Sequence, residues 1–279
     1  ACSRPLRCVS DSTGATVTPQ NTNVGDLIVA VERPAATTHK PPVLLIHGMF
    51  GGAWYWEGYQ SLLASRGYSS HAINLRGHHG SRPVHDIGKV PLRDYIADAA
   101  EVARALKNPI VIGHSMGGLI AQKLAEAGLC RACVLLAAAP PRWIPVVSWV
   151  LLIRQLKYAK GLTLFEPLVP DRSDADALMF NRTPMSDRAA FFPRLVPESG
   201  RAGFDASFGI VGVNERRVTA PMYTVTGSDD KFIVPRVARA IAAKYRAPLK
   251  VYDGFAHHIM NEPGWEKPAK DIVDWMDQH

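Results

Sequence analysis

The sequence predicts an α/β fold: a mainly parallel central sheet with helices on both faces, interrupted by a mostly helical insertion. Three observations carry this expectation. Short apolar runs of strand length alternate with longer stretches of helical spacing, and such alternation favours parallel strands joined by helical crossovers. Those parallel strands are expected to be covered on both faces. The rhythm breaks at Pro140-Pro141 and resumes at Pro221, so the stretch between them is not another βα unit.

Taken in order, the first ~25 residues are rich in Ser, Thr, Asn and Gly and read as an irregular arm or an edge hairpin. Leu27 to Glu32 and Val43 to Ile46 are strand-length apolar runs, and Trp54 to Arg66 has helical spacing at Trp54, Leu62 and Leu63. Ser70 to Leu75 is strand-like, after which Leu92, Ile96, Ala99, Val102, Ala103 and Leu106 fall on one helical face. Asn108 to Ile112 predicts a strand, Met116 to Ala127 a helix closed by Gly128, and Cys133 to Ala138 a further strand. The insertion, residues 141–218, contains the apolar run Trp143 to Tyr158, a helix start at Ser173 with Asp176 three residues on, and a Phe191-Phe192-Pro193 segment. Met222 to Thr226 (strand), Pro235 to Tyr245 (helix, proline first), Leu249 to Tyr252 (strand) and Trp265 to Asp277 (helix) complete the chain. The expected division is therefore a core of residues 1–140 and 219–279 carrying a cap of residues 141–218.

Composition excludes several function classes. With 279 residues, 47% hydrophobic and 20% charged, the chain has ample material for a globular core. The formal charge of +7 comes from 32 basic and 25 acidic residues that are interleaved, with no basic run longer than Arg216-Arg217, so no nucleic-acid partner is expected. No window reaches the ~18 consecutive apolar residues of a membrane span. Trp143 to Ile153 comes nearest, but it contains Pro145 and Ser148 and is closed by Arg154. Ala1 to Arg7 lacks the apolar centre of a leader, so the expectation is a soluble protein, cytoplasmic or exported after a signal peptide is removed. Cys2 and Cys8 could pair locally, whereas Cys130 and Cys133 lack the second pair or histidine that a zinc site needs and read as small buried thiols. His78, His79, His85 and Asp86 match no ligand set, so no metal is expected. No glycine-rich phosphate motif follows an early strand, and no nucleotide cofactor is expected either.

Chemistry concentrates at four strand ends. In Gly113-His114-Ser115-Met116-Gly117-Gly118 the serine has glycine two residues away on each side, between a strand and a helix. Such an elbow tolerates only small neighbours, raises the hydroxyl above the sheet end and aims the helix N-terminus at it. A serine hydroxyl needs a base, so a late histidine and an acid before it are expected. Asp229 and Asp230 follow one late strand, and His257 and His258 follow the next. An oxyanion would need two amide donors: the N–H of Met116 and, from the loop His47-Gly48-Met49-Phe50-Gly51-Gly52 after an early strand, the N–H of Met49. His47 fits a loop-stabilising residue better than a base.

With these motifs in chain order, the sequence resembles the α/β-hydrolase fold superfamily, in its cap-bearing, serine esterase and lipase-like form, from about Val43 to the C-terminus. In that family the acid usually lies three residues after the turn glycine, which selects Asp230, and the histidine five before a glutamate near a proline, which selects His257 with Glu262-Pro263. Asp229 then reads as a turn residue and His258 as a pocket wall or packed side chain. The segment Asn74 to Ser81 is similar to the family's loop after the fourth strand but departs from it: Asn74 replaces the usual aspartate, and His79 stands where a glycine is expected.

The resemblance implies a serine hydrolase acting on a small-molecule carboxylic ester, with Ser115, Asp230 and His257 as triad and Met49 and Met116 as oxyanion donors, and without a cofactor. Serine at the nucleophile position argues against dehalogenase or epoxide hydrolase chemistry, where aspartate stands. The pocket is expected to be walled by Phe50, Trp143, Ile144, Val147, Leu151, Phe191, Phe192 and His258, favouring apolar acyl or aryl groups. The same residues would equally serve acyl transfer, perhydrolysis, lactone or carbon–carbon bond hydrolysis, or hydroxynitrile lysis, and a non-catalytic ligand-binding protein could share the fold.

Overall fold

The computed structural model describes residues 19–145 and 156–279. Eight strands form one sheet in the order β1-β2-β4-β3-β5-β6-β7-β8. The strands are β1 (Gln20–Val24), β2 (Leu27–Glu32), β3 (Val43–Ile46), β4 (Ser70–Ile73), β5 (Ile110–His114), β6 (Ala132–Leu136), β7 (Met222–Gly227) and β8 (Leu249–Tyr252). Of the first ~25 residues, Gln20–Val24 form β1 of an edge hairpin and residues 1–18 lie outside the described residues; β1 is antiparallel to β2 and β2 antiparallel to β4, while every pairing from β4 through β3 to β8 is parallel.

Side chains in the central strands divide between two cores with the period of two that a pleated strand imposes. Leu44, Ile46, Val111, Cys133 and Leu135 enter one core, and Val43, Leu45, Ile110, Ile112, Val134 and Leu136 enter the other. The first core is closed by α2 (Leu92–Ala105), α3 (Met116–Glu126) and α8 (Pro235–Tyr245); the second by α1 (Glu57–Ser65) and α9 (Glu266–Met276). Cys130 and Cys133 are both free and buried.

Among the strand boundaries that shift from the sequence expectation, two lie at left-handed residues that no glycine announces. Lys107 and Asn108 have φ of +54° and +70°, so β5 starts at Ile110; Ala137 at +45° ends β6 at Leu136. Between β6 and β7 the described residues carry short helices: α4 (Ala159–Leu164), α5 (Arg172–Asp174) running into a π-helical turn (Ala175–Met179), α6 (Met185–Phe191) and α7 (Gly200–Ser207). Asp171, not Ser173, opens α5, because its carboxylate accepts the Asp174 N–H at 3.0 Å. Among the described residues no helix is long and apolar enough to cross a membrane.

Candidate active site

Ser115, between β5 and α3, has φ +52° and ψ −120°, a strained conformation for a residue with a side chain. Its surroundings leave room for no other backbone. A Cβ on Gly113 would lie 2.3 Å from the Gly117 carbonyl oxygen, and one on Gly117 would lie 2.3 Å from that of Ile46. The elbow is also tied down by hydrogen bonds: Ser115 N–H donates to Leu136 O at 3.1 Å, and Ser115 O accepts from Gly118 and Ala139 N–H at 2.9 and 2.8 Å.

The acid turn and the histidine loop come together because Gly227 has no side chain. A Cβ there would sit 2.2 Å from Phe255 O. Ser228 N–H donates to Tyr252 O and Asp229 N–H to Phe255 O, both at 2.8 Å. The outcome is a hydrogen-bonded chain. His257 Nε2 lies 3.1 Å from Ser115 Oγ and its Nδ1 lies 2.9 Å from Asp230 Oδ2, while Asp230 Oδ1 accepts the Phe232 and Ile233 N–H groups at 2.9 and 2.8 Å. A carboxylate cannot donate, so His257 Nδ1 carries the proton and Nε2 faces the serine hydroxyl as an acceptor. Ser115, Asp230 and His257 are all buried.

Two further buried groups hold the histidine loop. His114 Nε2 donates to the His257 carbonyl at 2.9 Å, and burial, with the neighbouring His257, keeps its pKa well below the ordinary imidazole value. Glu262 Oε2 accepts the Ala256 N–H at 2.6 Å, and burial pushes this carboxyl up to about 7.

Beside Ser115 runs the loop after β3, where a Cβ on Gly48 would lie 2.8 Å from the Ser115 Cβ. His47 braces it as a neutral ring. Its Nε2 accepts the Leu75 N–H at 3.2 Å, leaving Nδ1–H to donate to Gly48 O at 2.7 Å, and burial first, then the nearby His78, lowers its pKa to about 3. Met49 and Met116 border the same cavity as Ser115, and Met116, as the first residue of α3, has an amide without an intrahelical acceptor. Asn74 fills the place of the usual aspartate by accepting the Ala53 N–H through Oδ1 at 2.7 Å, and His79 replaces the missing glycine by adopting φ +46°.

The cavity over Ser115 is about 110 Å³ and is walled by Leu162, Leu168, Leu178, Met179 and Phe232, with Asp171 and Asp174 at one edge. Those two carboxylates are paired with Lys157 at 2.9 and 2.7 Å. Of the wall residues expected from sequence, the structure brings Phe50 to the cavity. Trp143 instead is 90% exposed, and Ile144 packs against the core on the α3 side. Phe191 packs with Trp54, Phe180 and His258 and so joins the insertion to the core, while Phe192 is half-buried beneath the Arg172 guanidinium; neither lines the cavity. The π-helical turn takes their place, presenting Leu178 and Met179. His258 is a packed side chain, ringed by Trp54, Tyr55, Phe180 and Phe191, and burial lowers its pKa to about 3. Val147 and Leu151 lie outside the described residues. Asp229 is more than a turn residue: it pairs with Arg182, and its carbonyl accepts from Asn181 Nδ2 at 3.1 Å, clasping the insertion to the acid turn.

Sequence reasoning gives no signal for Glu198. This fully buried carboxylate lies in the insertion and accepts from Tyr95 Oη and Ser199 N–H at 2.7 Å, and from Phe50 N–H and His78 Nε2 at 3.2 Å. His78 Nδ1 faces Arg76 O at 2.9 Å, so both ring nitrogens meet acceptors and the ring is an imidazolium. Burial opposes both charges, but each outweighs it for the other: the His78 pKa is raised and the Glu198 pKa lowered.

The sequence model of a family described as "Alpha/beta hydrolase family" matches residues 43–275. The chain belongs to the alpha/beta hydrolase family. This alpha/beta hydrolase is 27% identical over 255 residues to a monoacylglycerol lipase of Mycolicibacterium smegmatis, a match covering 85% of this chain and 88% of that one. A non-heme chloroperoxidase of Burkholderia pyrrocinia is 25% identical over 249 residues, covering 78% and 86%. Among solved structures, a soluble variant of monoglyceride lipase from Saccharomyces cerevisiae, determined with a substrate analogue, superposes with a TM-score of 0.75 at 17% identity, covering 98% and 99%. That likeness is one of fold.

Proposed function

We propose that this alpha/beta hydrolase cleaves carboxylic esters with apolar acyl or aryl groups through a Ser115–His257–Asp230 triad and an acyl-enzyme intermediate. The observation that carries the reading is the hydrogen-bonded chain from Asp230 through His257 to Ser115, ending under a cavity with mainly apolar walls. Ser115 Oγ attacks the ester carbonyl as its proton passes to His257 Nε2. The carbonyl oxygen, now an anion, is met by the Met49 and Met116 amides, and collapse expels the alcohol, which takes the proton from His257. Water then attacks the acyl-enzyme with His257 again as base, releasing the acid and restoring Ser115. Asp230 keeps the ring in the tautomer required and stabilises the imidazolium. In this reading residues 141–218 form a cap that roofs the pocket over a core of residues 1–140 and 219–279. A relative named for monoacylglycerol hydrolysis fits the same class of substrate.

The test is a series of p-nitrophenyl esters of increasing acyl length, followed from the first milliseconds. The expected result is a burst of p-nitrophenol stoichiometric with enzyme, and higher kcat/KM for medium acyl chains than for acetate. Absence of turnover on every ester would refute the assignment.

A further inference from the structure

The insertion and the loop after β3 meet at Phe50, and Phe50 is held in an unfavourable conformation. Its φ is +63°, in the left-handed region that residues with side chains seldom occupy unless their surroundings impose it. Both of its backbone groups are bonded to the insertion: Phe50 N–H donates to Glu198 Oε2 at 3.2 Å, and Phe50 O accepts from Val196 N–H at 3.0 Å. The peptide plane between Met49 and Phe50 is thereby fixed at both ends, since Met49 O accepts from the Tyr55 hydroxyl at 3.3 Å. The preceding plane, which carries the Met49 N–H, is fixed through Gly48 O by His47 Nδ1–H and Gly51 N–H at 2.7 and 3.3 Å.

We propose that Glu198 is a positioning residue for the oxyanion loop: the insertion supplies the buried carboxylate that holds Phe50 in its left-handed turn and so aims the Met49 amide at the reacting carbonyl. The proposal rests on the reading of Met49 as an oxyanion donor. Four donors converge on Glu198: Phe50 N–H and His78 Nε2–H on Oε2, and Tyr95 Oη–H and Ser199 N–H on Oε1. Only an ionised carboxylate accepts all four, because an amide or a protonated acid must turn a hydrogen toward one of them. Glu198 is therefore matched to this place in a way that a neutral side chain of the same shape is not. Its partners come from the loop after β3, the loop after β4, α2 and the insertion, so the insertion and the oxyanion loop are expected to be ordered together.

The decisive variant is Glu198→Gln, assayed per Ser115 titrated with a chromogenic phosphonate. An oxyanion contact strengthens in the transition state, so kcat is expected to fall about 10- to 100-fold with KM within about twofold of the parent. Affinity for a boronic acid, whose tetrahedral adduct places an oxygen at the oxyanion position, is expected to fall by a similar factor. A purely structural role would lower the titratable fraction and leave kcat per titrated site unchanged, which overturns the proposal; so does unchanged boronate affinity. Should Glu198→Gln not fold, Tyr95→Phe removes one donor from the same carboxylate and is expected to lower kcat per site several-fold with the same boronate correlation, and a parental kcat there overturns it. Failure of the parent protein to be titrated at all would refute the serine-hydrolase reading, and this proposal with it.

Discussion

Asp230→Asn isolates what the carboxylate contributes, because the structure dictates how the new amide must point. Asp230 Oδ1 accepts two backbone N–H groups, from Phe232 and Ile233, at 2.9 and 2.8 Å. The oxygen of an asparagine has to stay there, since its NH₂ would otherwise face two donors in a buried turn. The NH₂ therefore faces His257 Nδ1, which becomes an acceptor, and the ring proton moves to Nε2, where it points at Ser115 Oγ. The geometry survives and the base is lost. Loss of the correct tautomer in a Ser-His-Asp arrangement costs on the order of 10⁴ in turnover, or ~5 kcal/mol of transition-state stabilisation. The assay is kcat on a p-nitrophenyl ester at neutral pH, beside a thermal melt expected to lie close to the parent's because shape and both backbone bonds are kept. A loss smaller than tenfold in a folded variant would refute the reasoning that Asp230 sets the tautomer.

Other expectations concern stability. Glu262 titrates at about 7 when folded instead of its ordinary 4.5, so the folded protein binds the extra proton and stability falls as pH rises across that interval, by ~3 kcal/mol in all. Glu262→Gln removes that dependence; urea denaturation at pH 5 and pH 8 is expected to show the variant gaining on the parent at the higher pH, and parallel behaviour would contradict it. His47, His71, His114 and His258 have folded pKa values pulled down by burial, to about 3 for His47 and His258 and about 4 for His71, so their contribution is intact above ~6.5 and lost as pH falls. His79 is lowered by burial as well, so with Glu262 offsetting one proton the loss is on the order of 4–5 kcal/mol per pH unit below about pH 6, and circular dichroism is expected to record cooperative acid unfolding before pH 4. Gly117→Ala places a Cβ 2.3 and 2.5 Å from the backbone oxygens of Ile46 and His47, which no rotamer relieves. Overpacking of this kind costs about 3 kcal/mol and is expected to lower Tm by roughly 6–10 °C; a melt unchanged from the parent would show that α3 and the oxyanion loop are less tightly joined than described.

What the sequence disclosed and what it hid follow from the range of the interactions concerned. β3, β8 and α8 begin and end where their apolar runs do, because burial of a short central strand or an amphipathic face is written locally. β5 and β6 shift at Lys107, Asn108 and Ala137, where the backbone turns left-handed without a glycine to mark it. Ser115 stands out because it sits just past a strand end between spaced glycines, and chain order narrows the acid to Asp229 or Asp230 and the base to His257 or His258; the spacing of the family that the chain resembles then selects Asp230 and His257. The cavity wall could not be read this way. The insertion is built of short helices whose inward faces depend on what they pack against, so Trp143 turns to solvent while Leu178 and Met179 roof Ser115. Glu198 was hidden for the same reason: residues 50, 78 and 95, its partners, stand more than 100 positions away, and no local period links them.

The most direct test of the central claim is covalent labelling with a fluorophosphonate followed by peptide mass mapping. The account predicts one adduct per chain, on Ser115, absent in Ser115→Ala and at least 10³-fold slower to form in His257→Ala, in keeping with the cost of removing a triad member. An adduct on another residue, or labelling of His257→Ala at the parental rate, would contradict it.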